Sequence, residues 1–332
     1  MIKENTSVDF SQIFEEQVEV IEEKISAVFR NKKPESLYEP CAYILETGGK
    51  RLRPFLVLIS AKAAGSSFRN SYNAALAVEL LHNFTLAHDD IMDNADKRRG
   101  RLTVHKKYDD STAILAGDNL LAFAYKYLLR DCRENDKYVI DEFTQGLIEV
   151  CEGQSLDKEF ETRQDVSIEE YKVMIYKKTA ALAEACCRIG ALIGGAEKEV
   201  FNALAEYGKN IGMAFQIQDD LLDIMADEAE FGKIVGGDLV EGKKTYLFLK
   251  ALEKAEGDDK KALLNVIRDK GISREDIDFY KNLYIRLGIF EDAKKEIIEY
   301  TEKAISELNV ISSEEDRQML TWLANILIKR SR

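Results

Sequence analysis

The chain has 332 residues, 45% of them hydrophobic and 32% charged, with a formal net charge of −13. That is the composition of a globular protein with a large core, and the acidic balance argues against general nucleic-acid binding. Five cysteines (Cys41, Cys132, Cys151, Cys186, Cys187) show no paired-ligand spacing, which speaks against zinc and against a disulfide framework.

The N-terminus is polar and acidic, without the basic start and apolar run of a signal peptide, and no apolar run approaches a membrane span. A cytoplasmic protein that is not membrane-embedded is expected. The three prolines, Pro34, Pro40 and Pro54, all lie near the start. Their absence elsewhere favours long helices joined by short turns, and alternating strand patterns are scarce.

In chain order, apolar periodicity predicts a helix over 8–29, a loop over 31–40, and a helix over 42–47 that stops at Gly48-Gly49. Helices over 55–64 and 73–94 follow, then a loop over 97–104. Helices over 112–132, 137–154, 168–194 and 197–226 come next. A glycine-rich loop is expected over 231–244, and shorter helices over 245–256, 258–270, 273–287, 289–307 and 312–330. No linker splits the chain, so residues 1–332 read as a single domain. The expected fold is all-α, a bundle of about a dozen helices around one deep cavity.

Two copies of one acidic pattern stand about 130 residues apart: Asp89-Asp90-Ile91-Met92-Asp93 and Asp219-Asp220-Leu221-Leu222-Asp223. Both sit in apolar helical stretches, where a carboxylate is costly to bury unless a cation compensates it. Positions i and i+4 share a helix face, so Asp89 pairs with Asp93 and Asp219 with Asp223. Oxygen donors of this kind suit Mg²⁺, which shares its shell between carboxylates, water and substrate phosphates. On the first helix His82, Thr85, Leu86, Asp89 and Asp93 form one stripe, polar at one end and apolar below. On the second, Gln216 lies one turn before Asp219.

Cations cluster at Lys50, Arg51 and Arg53, at Lys97, Arg98, Arg99 and Arg101, at Lys177 and Lys178, and at Lys243 and Lys244. Clusters of this kind suit phosphate recognition. Gly237-x-x-x-x-Gly242-Lys243-Lys244 approaches a P-loop but lacks its final hydroxyl residue and a preceding strand pattern, so nucleotide hydrolysis is rejected. Lys233 and Lys243 remain as phosphate contacts.

Taken together and in order, these segments resemble the trans-isoprenyl diphosphate synthases, over about residues 40–250. The resemblance rests on Gly48-Gly49-Lys50-Arg51-Leu52-Arg53-Pro54, Glu79-Leu80-Leu81-His82, the Asp89–Asp93 motif with Arg98-Arg99-Gly100, Thr103-Val104-His105, Ala116-Gly117-Asp118, Lys178-Thr179-Ala180, Phe215-Gln216 with the Asp219–Asp223 motif, and Gly237-Asp238-Leu239-x-x-Gly242-Lys243-Lys244-Thr245. Leu102 departs from the family's usual proline.

The resemblance implies the isoprenoid synthase fold, with the acidic motifs facing across the cavity mouth, and a homodimer. It implies metal-dependent head-to-tail condensation of isopentenyl diphosphate with an allylic diphosphate. The metal set is Asp89, Asp90, Asp93, Asp219, Asp220 and Asp223. Asp89, Asp93 and Asp219 would ligate three Mg²⁺ ions (Mn²⁺ being the alternative), supported by Asp90 and Asp223. Arg98, Lys178, Lys233 and Lys243 would hold the allylic diphosphate, and Thr179 and Gln216 would stand beside its reacting end. Lys50, Arg53, His82 and Arg99 would hold the diphosphate of isopentenyl diphosphate.

Phe84 and Thr85, just before the first motif, resemble the chain-length floor of archaeal-type geranylgeranyl diphosphate synthases. On ideal geometry Phe84 lies about 140° from Asp89, so this inference leans on the family. Farnesyl or longer-chain synthesis is the alternative. A terpene cyclase would normally have a different second motif, and a non-catalytic partner subunit would usually lose one of the two.

Overall fold

The computed structural model describes residues 8–132, 135–225 and 235–328. Its helices are α1 (Phe10–Ala27), α2 (Glu35–Leu45), α3 (Leu52–Ala63), α4 (Tyr72–Met92), α5 (Val104–Lys107), α6 (Asp110–Leu128), α7 (Asp136–Thr162), α8 (Ile168–Ile175), α9 (Ala181–Gly194), α10 (Lys198–Met225), α11 (Gly237–Val240), α12 (Tyr246–Lys254), α13 (Gly257–Asp269), α14 (Ile277–Leu287), α15 (Ile289–Glu307) and α16 (Glu314–Ile328). The only strands among the described residues are β1 (Lys97–Arg98) and β2 (Arg101–Leu102). The all-α expectation is met.

The chain forms two compact units. Unit one comprises Met1–Phe143, Cys186–Phe201 and Ile311–Trp322, and unit two comprises Thr144–Ala185, Asn202–Val310 and Leu323–Arg332.

In unit one, α4 is apolar on nearly every face because it is enclosed: Leu76, Val78, Leu80 and Leu81 are fully buried. Small residues let its neighbours come close. A Cβ on Gly190 would stand 2.4 Å from the Val57 carbonyl of α3. Asp131 takes the orphan amides of Asn73 and Ala74 at 2.6 and 2.9 Å and so starts α4. Trp322 packs on Phe10 and Phe14 of α1.

In unit two, α10, α12 and α14 enclose one core with Ile217, Phe248, Leu283 and Tyr284. A capping box between Ser167 and Glu170 starts α8.

Four local expectations are corrected. The stretch 31–40 is not a loop throughout: α2 begins at Glu35, directly after Pro34, and contains Pro40. Pro40 forfeits one backbone bond, but Cys41, Tyr43, Ile44 and Leu45 are buried on the same helix, and that packing overrides the propensity. The stretch 97–104 is not a plain loop. Arg98 pairs with Arg101 across a two-residue turn in which Arg99 and Gly100 both have positive φ, +50° and +78°, the conformation that suits a tight hairpin.

The stretch 168–194 is not one regular helix either. Residues Tyr176–Ala180 form a π turn between α8 and α9. Of the expected loop 231–244, residues 231–234 lie outside the described residues, and Gly237–Val240 is a helical turn.

Candidate active site

In unit one, Asp89 is half-buried on α4, and its carbonyl accepts from the amide of Asp93, which ends the helix, at 2.8 Å. Asp93 is exposed. Asp90 turns inward, 6% exposed, and accepts from Nε of Arg98 at 2.8 Å, with Nη2 of the same guanidinium ion-paired to that oxygen at 2.8 Å. Arg98 is brought there by the hairpin that sequence periodicity did not reveal.

A second group of unit one gathers cations. Nη1 of Arg53 lies 3.3 Å from Nε2 of His82, and the buried Nε of Arg53 has no hydrogen-bond partner among the described residues. Burial, then the charges of Arg53, Arg99, Arg98 and Arg51, push the His82 imidazole well below its usual pKa, so the ring is neutral at pH 7. Arg99 donates to the carbonyl of Gly48. Its own pKa is lowered by burial and by the neighbouring arginines, against the opposing pull of Glu79. Lys50 is exposed on the same turn. Crowded guanidinium groups around a neutral histidine are an arrangement that an anion relieves.

One turn past His82, Thr85 is buried and donates to its carbonyl at 2.8 Å. Phe84 meets the ring of His88 edge-on, 4.6 Å between centroids. Gly117 makes room for that histidine, since a Cβ there would stand 2.4 Å from its Nε2. This gives a physical reason for the Ala116-Gly117-Asp118 motif, to which sequence reading attached no role.

In unit two, the π turn presents Lys178 and Thr179, a local irregularity of a kind frequent at functional sites. Two glycines make room for it. A Cβ on Gly153 of α7 would stand 2.2 Å from the Lys178 amide nitrogen, and one on Gly212 of α10 would stand 2.5 Å from Cα of Ala180. Lys178 donates to Asp157 at 2.5 Å. Thr179 Oγ1 donates to Gln216 Oε1 at 2.9 Å, and Gln216 Nε2 donates to Asp220 Oδ1 at 3.1 Å.

Asp219 is half-buried. Asp220 is buried and accepts from the Tyr171 hydroxyl and, at 3.1 Å, from the Tyr246 amide. Burial and then the charge of Asp238 raise its pKa to about 7, against these hydrogen bonds. Asp223 accepts from the Asp238 amide at 3.1 Å, and its carbonyl accepts from Gly236 at 2.6 Å, so it anchors the glycine-rich turn.

Lys243 reaches Glu241 at 2.7 Å and Asp238 at 3.5 Å. Burial works against its charge, but the carboxylates win and raise its pKa. Lys244 donates to the Phe160 carbonyl at 2.7 Å, a structural role. Lys233 lies outside the described residues. Lys178, Thr179, Gln216, Asp220 and Lys243 all line one cavity of about 370 Å³ within unit two.

Asp157, Tyr171 and Tyr246 were missed in the sequence. No local pattern sets Tyr171 and Tyr246 apart from core tyrosines, or Asp157 from a surface carboxylate. Among the described residues no three His, Cys, Asp or Glu side chains gather closely enough to hold a metal ion by themselves. The donors come as carboxylate pairs, four residues apart. That fits a hard cation that takes one or two carboxylates and completes its shell with water and phosphate oxygens.

The sequence model of the family described as polyprenyl synthetase matches residues 34–284. The chain is 40% identical over 300 residues to the geranylgeranyl diphosphate synthase of Methanosarcina mazei, covering 90% of this chain and 91% of that one. It is also 40% identical over 327 residues to the geranylgeranyl diphosphate synthase of Sulfolobus acidocaldarius, covering 97% and 98%. The crystal structure of geranylgeranyl pyrophosphate synthetase from Pyrococcus horikoshii superposes with a TM-score of 0.90 at 37% identity, covering 97% of this chain and 98% of that one. The chain therefore belongs to the polyprenyl synthetase family and is a prenyltransferase.

Proposed function

We propose that the chain works as one synthase domain that condenses isopentenyl diphosphate with dimethylallyl, geranyl or farnesyl diphosphate and releases geranylgeranyl diphosphate. The observation that carries this reading is that each acidic motif has phosphate-type cations within its own unit: Arg98 with Arg53 and Arg99, grouped around the neutral His82, in unit one, and Lys178 with Lys243 in unit two. The relatives' names favour the C20 product, and Phe84 followed by Thr85 agrees with it. We take the working form to be a cytoplasmic homodimer. No helix among the described residues is long and apolar enough to cross a membrane.

Mg²⁺ ions, three per site, would be held by Asp89, Asp93 and Asp219, with Asp90, Asp220 and Asp223 fixing the helices and turns around them. When bound, they supply positive charge to the departing diphosphate. Lys178 and Lys243, with Arg98 and Lys233, hold that diphosphate and stabilise the charge it gains. Thr179 and Gln216, fixed by their mutual hydrogen bond, stand beside the allylic carbon. Lys50, Arg53, His82 and Arg99 hold isopentenyl diphosphate so that its double bond attacks the allylic cation. The proton then lost passes to the departed diphosphate. No side-chain nucleophile is required, and exclusion of water keeps the cation from being quenched.

The test is incubation of the purified protein with Mg²⁺, labelled isopentenyl diphosphate and each allylic primer, with product length read by chromatography. A C20 product from all three primers is expected, and Phe84→Ala should lengthen it. A C15 or much longer wild-type product would overturn the product assignment. Absence of elongation would point to a cyclase or a partner-dependent subunit.

A further inference from the structure

The cation cluster of unit one is braced from α1, a helix that carries none of the motifs. Arg51 stands at the left-handed residue before α3, with φ +50°, between Lys50 and Arg53. Its side chain is 1% exposed. Nε and Nη2 donate to the two oxygens of Glu22 on α1 at 2.6 and 3.2 Å, and Nη1 donates to Glu79 on α4 at 2.5 Å. Glu79 is fixed in turn by Asn83, whose Nδ2 donates to it at 3.1 Å.

Both edges of the guanidinium fork are thus occupied. Nη1 of Arg51 and Nη1 of Arg99 lie 3.3 and 2.9 Å from where a Cβ on Gly49 would stand. The Arg51 side chain therefore fills the space under the turn that carries Lys50 and Arg53. Glu79 is shared, since its charge also acts on Arg99. Glu22 is the carboxylate that grips Arg51 on its other edge.

We propose that Glu22 is a positioning residue for the diphosphate of isopentenyl diphosphate, holding Arg51 so that the 48–53 turn keeps one conformation. The proposal rests on the reading of Lys50, Arg53, His82 and Arg99 as that diphosphate's site. It makes α1 part of the substrate-binding apparatus.

The test compares steady-state kinetics and melting of wild type, Glu22→Gln, Glu23→Gln and Arg53→Gln. For Glu22→Gln we expect KM for isopentenyl diphosphate to rise about tenfold, the scale of one lost charge-assisted hydrogen bond. Its kcat and its KM for the allylic diphosphate should stay within about twofold of wild type. Glu23→Gln, exposed on the same helix, should change nothing.

An unchanged KM for isopentenyl diphosphate in Glu22→Gln, while Arg53→Gln raises it, would overturn the role of α1 alone. Equal rises in both KM values together with a lower Tm would also overturn it, since that is the mark of general loosening. An unchanged KM in Arg53→Gln would remove the site reading, and the proposal with it.

Discussion

The two acidic motifs have the same aspartate spacing but solve the burial of their middle aspartate differently. Asp90 is met by a cation, Arg98, delivered by a hairpin eight residues on. Asp220 is held by neutral donors instead. It is met by the Tyr171 hydroxyl, the Tyr246 amide and the Gln216 amide. A buried carboxylate can be stabilised by an opposite charge or by donated hydrogen bonds, and the second route also ties Asp220 through Gln216 to Thr179. In the first motif the middle aspartate serves the hairpin, whereas in the second it serves the π turn.

The largest effect should come from the outer carboxylates. Asp89→Ala and Asp219→Ala should each lower turnover at least about a hundredfold with the far-ultraviolet circular dichroism unchanged. Near-wild-type activity in either would break the view that the motifs share one job.

Next comes Gly153→Ala. Its Cβ would press on the backbone of the π turn rather than on a side chain that can swing away. Displacing Lys178 and Thr179 by about an ångström should cost on the order of a hundredfold in kcat/KM. A neutral outcome would show that α7 yields more easily than the packing indicates.

The middle aspartates can then be compared directly by urea unfolding. Arg98→Ala leaves Asp90 charged and without its cation. It should cost about 2 kcal/mol, between the values for an exposed and a fully buried pair, because Arg98 is a third exposed. Tyr171→Phe leaves Asp220 two donors and should cost about 1 kcal/mol. The reverse ranking would mean that the hydroxyl carries more of the burial than the cation does.

The most gradual effect is a pH slope. The unfolded chain protonates His82 near its ordinary pKa of about 6.5, whereas the folded chain resists protonation. Stability from this group is therefore complete above about pH 6.5 and is lost as pH falls, by at most about 1.4 kcal/mol per pH unit. His82→Gln should flatten the stability profile between about pH 7 and 5. An unchanged slope would place the titration elsewhere.

The sequence by itself determined the helical class, most helix positions, the paired carboxylates and the basic clusters. Periodicity and composition are local properties, and helices with i, i+4 pairs are local structures. The C-terminal helices α12 to α15 fall within a few residues of where periodicity put them. Tertiary structure decided what local pattern does not encode. Pro40 enters a helix because neighbouring residues bury it, and the π turn exists because Gly153 and Gly212 let two other helices approach its backbone. Glu22 meets Arg51 across 29 residues of sequence, a distance at which spacing carries no information. Burial and long-range partners also set which carboxylate of each motif turns inward, because the cost of a buried charge depends on what the fold brings to it.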